Sequence, residues 1–172
     1  NGVSSAGVPD TFYITANPTA MISPALPDVV VTPDIATTAI TSMTTATGGT
    51  TTYAWTNSNP SIGLGASGSG PIPSFTPENM GTAPITATII VTPTFSNGGV
   101  NSVGTPDTFI ITVNPIVMIT NEPQDTTTYS NGASIPGYTP TTSATGGTVT
   151  YAWTNNTPAI GLPASGTGSV PE

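Results

Sequence analysis

Alternation of apolar and polar residues with a period of two dominates the chain. From Thr50 to Thr56, Tyr53 and Trp55 fall on one side and Thr52, Ala54 and Thr56 on the other. Ile85, Ala87, Ile89 and Val91 share a face, as do Phe109, Ile111 and Val113. A strand with one buried face has this period, so all three stretches are predicted strands. Asp28 to Thr32 and Ala39 to Met43 are predicted earlier strands. Gly48-Gly49, Asn97-Gly98-Gly99 and the Ser/Gly/Pro stretch from Gly65 to Pro73 read as turns or loops. No apolar run approaches the roughly 18 residues that a membrane-spanning helix needs.

The pattern occurs more than once. Ala46 to Pro73, ATGGTTTYAWTNSNPSIGLGASGSGPIP, returns as ATGGTVTYAWTNNTPAIGLPASGTGSVP, Ala144 to Pro171, with 20 of 28 positions identical at an offset of 98. PDTFYITANP (Pro9 to Pro18) returns as PDTFIITVNP (Pro106 to Pro115), with 8 of 10 identical at an offset of 97. Duplication on this scale predicts repeated structural units. Residues 1–18 read as the C-terminal strand or strands of a preceding repeat, 19–115 as one complete repeat, and 116–172 as the N-terminal part of a following one. Neither chain end falls on a repeat boundary, so the sequence reads as a window onto a longer array. Head-to-tail closure, with residues 1–18 of one chain completing the third repeat of another, would still lack counterparts of residues 75–97 and their core strand. Asn17-Pro18 and Asn114-Pro115 lie between the last strand of one repeat and the first of the next. Proline fixes φ and extends its predecessor, so the joints are expected to be short and stiff.

Composition strengthens the strand reading. Thr (36), Ile (15) and Val (12) make 63 of 172 residues β-branched, whereas Leu, Glu and Gln total only 7. β-branched side chains favour the pleated surface over the helix, and the chain is expected to be all-β. Short strands in about 97 residues with one Trp near the middle predict a seven-stranded, immunoglobulin-like sandwich, large enough to bury its own core.

Charge removes whole classes of chemistry. The chain has no Lys, Arg, His or Cys, and eight acidic residues give it a net charge of −8. It therefore has no imidazole or thiolate, no disulfide and no cationic phosphate clamp. Nucleic acid is not an expected partner, because its affinity comes from cationic side chains, and membrane insertion is not expected either. Ser and Thr nucleophiles have no His or Lys to act as base, and no Asp-Thr-Gly or Asp-Ser-Gly motif is present. The chain is not expected to be an enzyme. Carboxylates carry all the side-chain charge at neutrality, so repulsion between molecules should vanish below about pH 4.

The segments YAWTNxxPxIGLxASGxGxxP, SFTPEN, ITATIIVTP and PDTFIITVNP together resemble the PKD-like, immunoglobulin-like repeats of very large Bacteroidetes cell-surface proteins. Those proteins include gliding-motility-associated adhesins exported by the type IX system. The resemblance covers the whole chain and implies tandem β-sandwiches in a secreted, extracellular stalk or adhesin. It departs from ordinary PKD domains, whose Trp strand continues into an Asp-Phe-Gly-Asp-Gly turn. Here Trp55 is followed by Thr56-Asn57-Ser58-Asn59-Pro60, so no role of those carboxylates carries over, and no catalytic residue is implied.

Candidate residues follow from repetition. Tyr53, Trp55, Ile89, Val91, Phe109, Ile111, Val113, Tyr151 and Trp153 are the expected structural core; the rival reading of the Trp residues is an aromatic platform for sugars. Asp10 matches Asp107, and Asp28 matches Asp125, near the expected joints. Calcium is the one cofactor considered for these four, against simple capping of backbone N–H groups. Thr126, in Asp125-Thr126-Thr127, resembles the O-glycosylation pattern of exported Bacteroidetes proteins. Asn155-Asn156-Thr157 is an N-glycosylation triplet. A flat Thr array is not expected, because Ala54 and Ile90 interrupt the rows. The expected function is extension and spacing in a surface adhesin, stalk or fibre, with neighbouring repeats as partners. The alternatives are a module binding polysaccharide through loops such as Gly65 to Pro73, and a subunit of a self-assembling extracellular filament.

Overall fold

The computed structural model of the chain describes residues 1–127 and 134–172; positions 128–133, which belong to the expected third repeat, lie outside it. The chain is all-β, with eight strands and two single-turn 3-10 helices among the described residues. Residues 29–113 build the main sheet from β1 (Val29–Val31), β2 (Thr50–Asn57), β3 (Ser67–Ser69), β4 (Ile85–Asn97), β5 (Val100–Val103) and β6 (Asp107–Val113). The strand order is β1-β6-β4-β2-β3, with β5 also on β4. All neighbours are antiparallel except β1 and β6, which are parallel.

Alternation places the core. Trp55 and Asn57 on β2, Ala87, Ile89 and Val91 on β4, and Phe109, Ile111 and Val113 on β6 are buried, while their sequence neighbours face outward. The outward residues include Thr86, Thr88, Thr108 and Ile110, so the Thr-rich face is broken by apolar side chains. A second, thinner layer closes the sandwich. It consists of the segments around Ile22, Ile40 and Ile72, joined by Ser23 N–H to the Met43 carbonyl (3.0 Å) and by a reciprocal Ile40–Ile72 pair (3.0 and 2.9 Å). Ile62, Leu64 and Ile72 join the sheet residues in one core cluster, with Ile22, Ile40 and Phe75 packed against it.

The second layer corrects two sequence expectations. The predicted strand Ala39–Met43 is extended, but it is paired only at Ile40 and near Thr44. The stretch from Gly65 to Pro73 is not a free loop: it contains β3 and the Ile72 partner of Ile40. The expected seven full strands are thus six in one sheet plus paired segments opposite.

One bulge shapes the β4–β6 arm. Thr94 pairs with Val103 and Val91 with Asp107, so two residues of β4 face three of the partner, Gly104, Thr105 and Pro106. Such insertions bend a strand and leave groups for other partners. Pro93 sits opposite the bulge and its carbonyl accepts Gly104 N–H at 2.8 Å, which accounts for a proline inside a central strand. Thr105 N–H is freed to bond the Ala20 carbonyl at 3.0 Å. A Cβ on Gly104 would overlap that same carbonyl, so only glycine admits the approach.

The second copy repeats the local structure. β7 (Ala152–Thr154) pairs with β8 (Ser165–Thr167) as β2 does with β3, and a 3-10 turn, Pro158–Ile160, matches Pro60–Ile62. The Ile119–Thr142 and Tyr138–Val170 pairs match Ile22–Thr44 and Ile40–Ile72. Residues 9–18, by contrast, form no strand despite their near identity to β6; Phe12 and Ile14 are 79 % and 85 % exposed. Period two gives a strand only where a partner edge is present, and among the described residues none pairs with 9–18.

Candidate functional site at the joint between the copies

The two copies meet at a short joint. β6 ends at Val113, and the next paired residue is Ile119, so residues 114–118 span the connection. Asn114 N–H bonds the Val31 carbonyl at 3.0 Å, which carries the β1–β6 ladder up to Pro115. From the first copy, the turn Gly81-Thr82-Ala83-Pro84 projects to the joint. Thr145 of the second copy places both its N–H (2.6 Å) and its Oγ1 (3.2 Å) on the Thr82 carbonyl. Gly146, with φ of 76°, follows in the left-handed region, and a Cβ there would come within 3.1 Å of the Pro84 ring. A small cavity of about 210 Å³ lies between Pro84, Asn114, Pro115, Gly146 and Gly147.

Asn79 positions that turn. Its side chain is buried, its Nδ2 donates to the carbonyls of Ala83 and Val113 (both 2.9 Å), and its Oδ1 accepts Gly81 N–H (3.0 Å). One amide thereby ties both ends of the Thr82 turn to the last residue of β6. All polar groups of this amide close on the backbone, as a buried amide requires. The earlier joint shows a related contact: Asn17 Nδ2 donates to the Val100 carbonyl at the β4–β5 tip (2.9 Å). Asn79, Thr82 and Thr145 escape a reading of hydrophobic pattern. The short spacing Asn79-x-Gly81 is the one signal that points to a side chain bonding its own turn.

Of the expected core residues, Trp55, Ile89, Val91, Phe109, Ile111 and Val113 are buried, while Tyr53 packs at the edge of the same cluster. Burial raises the pKa of the Tyr53 hydroxyl above its ordinary 10.0. Tyr151 and Trp153 are half-buried, and among the described residues β7 pairs with β8 alone.

The four aspartates do not converge. Asp107 accepts Leu26 N–H (2.7 Å) and Thr108 N–H (3.0 Å), Asp28 accepts Ile110 N–H (2.8 Å), and Asp10 accepts Thr11 N–H (2.9 Å). Asp28 and Asp107 therefore lace the start of β1 to β6 with backbone bonds. Asp125 is exposed. Among the described residues no three acidic groups gather in a way that could hold a metal ion. Thr126 is exposed and its hydroxyl donates to the Gln124 carbonyl (3.2 Å). Asn155 is engaged, with Nδ2 on the Leu162 carbonyl (2.8 Å) and Oδ1 on Thr157 N–H (2.9 Å), which repeats the bonds of Asn57.

No protein-family model, curated protein or solved structure matches the chain. No helix among the described residues is long and apolar enough to cross a membrane.

Proposed function

We propose that the chain is a spacer: tandem β-sandwich repeats of a secreted bacterial surface adhesin, stalk or fibre, whose task is to extend and to hold an angle. The observation that carries this reading is the doubly bonded Thr145–Thr82 contact, which bridges the two copies beside their short connection, residues 114–118, and is braced by Asn79. A joint with a short tether and a direct bond between its two sides restricts bending, and a string of such joints projects what it carries. The resemblance of the Trp-containing segment and of PDTFIITVNP to PKD-like repeats of Bacteroidetes surface proteins supports the extracellular placement and the link to gliding adhesins. The lack of any His, Lys, Arg or Cys supports a role without catalysis.

Solution scattering of the chain tests the geometry. A rod-like distance distribution with a fixed inter-copy spacing is the expected result; a compact globule would end the proposal. Labelling of intact, unpermeabilised native cells with an antibody to the chain tests the placement, and signal only after permeabilisation would contradict it.

A further inference from the structure

An apolar stripe crosses the outer face of the main sheet on the diagonal. Val30 aligns with Thr112, two residues beyond Ile110; Ile110 aligns with Thr88, two before Ile90; and Ile90 aligns with Thr56, two beyond Ala54. Each step to the next strand therefore shifts by two residues. Val30, Ile110, Ile90 and Ala54 stand in one line over β1, β6, β4 and β2. Val30, Ile90 and Ile110 are 67 %, 41 % and 40 % exposed, and Ala54 is exposed as well. The outward residues of β1, β2, β3, β4 and β6 are all Thr, Ser, Ala, Ile or Val, so the face has no ionisable side chain and no aromatic ring. Asp28 stands at its border and turns an oxygen to Ile110 N–H at 2.8 Å.

We propose that this face is a contact surface between two molecules of the chain, packed stripe to stripe. Charge selects the occupant. Each molecule carries a net charge of −8 and no Lys, Arg or His, so no side-chain ion pair can form between two of them. Carboxylates repel wherever they meet, and the outer face is where two such chains can approach without that cost. A centre poor in charge with polar groups around it is also the make-up of an interface. The area agrees. Five strands about 4.8 Å apart, and the residues Thr86–Thr92 of β4 at about 3.4 Å each, make a face of roughly 500 Å². Two of them bury about 1,000 Å², at the low end for a specific contact. The faces stack as the layers of a sandwich do, about 10 Å apart, with Ile90 and Ile110 of one molecule set among threonine methyl groups of the other. A neutral polysaccharide fits less well, since sugar rings stack on aromatic side chains and the face has none. The inference rests on strand register in the first copy and not on the spacer reading.

Sedimentation equilibrium of the full chain tests it. Reversible dimers are expected at a chain concentration on the order of 0.1 mM, as suits a contact of this size. Raising NaCl from about 20 to about 500 mM should strengthen them several-fold, because salt screens the repulsion of two acidic chains. Ile90→Thr with Ile110→Thr removes the centre of the stripe without adding charge and should weaken association about tenfold or more. The urea midpoint of this variant should stay unchanged, since both positions face outward. The location is read independently with a single cysteine, because the chain has none of its own. A short bis-maleimide should link Thr88→Cys into dimers and leave Thr45→Cys, in the second layer, unlinked. A chain that stays monomeric at high salt, dimers that weaken with salt or survive the double substitution, or equal linking at both cysteines would each overturn the proposal. So would a monomer that sediments with microcrystalline cellulose and loses that binding with Ile90→Thr, since the face would then belong to a polysaccharide.

Discussion

Trp55 and Gly68 face each other across β2 and β3, and the indole occupies the space where a side chain on residue 68 would stand: a Cβ there would overlap Cζ2 and Cε2 of the ring. Trp153 and Gly166 stand in the same relation in the second copy. In both, the indole Nε1 is buried with no hydrogen-bond partner. The Trp is therefore held by shape and apolar contact alone, which separates two substitutions that would otherwise be expected to act alike. Trp55→Ala should cost about 3–5 kcal/mol, whereas Trp55→Phe should cost only about 1–2 kcal/mol, since no bond from Nε1 is lost. Gly68→Val should destabilise without removing any contact, by displacing the ring. Urea denaturation of the three variants checks the order, and equal losses for Phe and Ala would refute it.

Asn79 should matter more than its loop position suggests. Asn79→Ala leaves the carbonyls of Ala83 and Val113 without their donor and should cost about 1–3 kcal/mol. Because the same amide braces the Thr82 turn, the variant should also broaden the distance distribution between spin labels placed on either side of the joint. A stability loss with an unchanged distribution would mean that Asn79 serves the core alone.

The joint can be loosened without touching either core. Thr145→Pro removes the N–H that reaches Thr82, and Thr145→Val removes the hydroxyl bond only. Scattering should show greater flexibility for Pro than for Val, while the melting of the first copy stays within about 0.5 kcal/mol of the parent, as for substitutions outside a core. Equal rigidity in all three proteins would show that Asn114-Pro115 suffices.

Alkali should weaken the fold through Tyr53. Its hydroxyl is held above the ordinary 10.0 by burial. Below that value both states are protonated and the stability is fully present. As pH climbs past it the unfolded chain releases its proton first, so stability falls until the folded-state value is passed. Tyr53→Phe should flatten this alkaline decline in pH-dependent denaturation, and an unaltered decline would place its origin elsewhere.

The main sheet was legible because Ile89, Val91, Phe109, Ile111 and Val113 alternate over stretches long enough to state a period. Of the second layer only Ala39–Met43 was legible, since the layer is held by a few pairs around Ile22, Ile40 and Ile72, and the other segments are too brief to carry a clear repeat. The passage of β4 through Pro93 was not legible, because it depends on the bulge at Gly104, and bulges depend on a partner strand that sequence does not reveal. Residues 9–18 give the converse lesson: a convincing strand pattern forms no strand where no other segment pairs with it. The aspartates were legible as recurring positions, but only the pairing of β1 with β6 gave them work as backbone acceptors. The joint residues Thr82 and Thr145 carried no signal, because a backbone carbonyl has no letter in the sequence.

The parallel pairing of β1 with β6 bears on how the first copy would answer a pull. The chain enters the sheet at one end of that pair and leaves at the other, at Val29 and Val113. Tension between the termini therefore slides the two strands past each other and loads their bonds together, in shear, whereas an antiparallel exit would unzip them one at a time. Asp28, Asp107 and Asn114 lengthen the same clamp on both sides. A unit wired in this way yields late under force, which suits a tether.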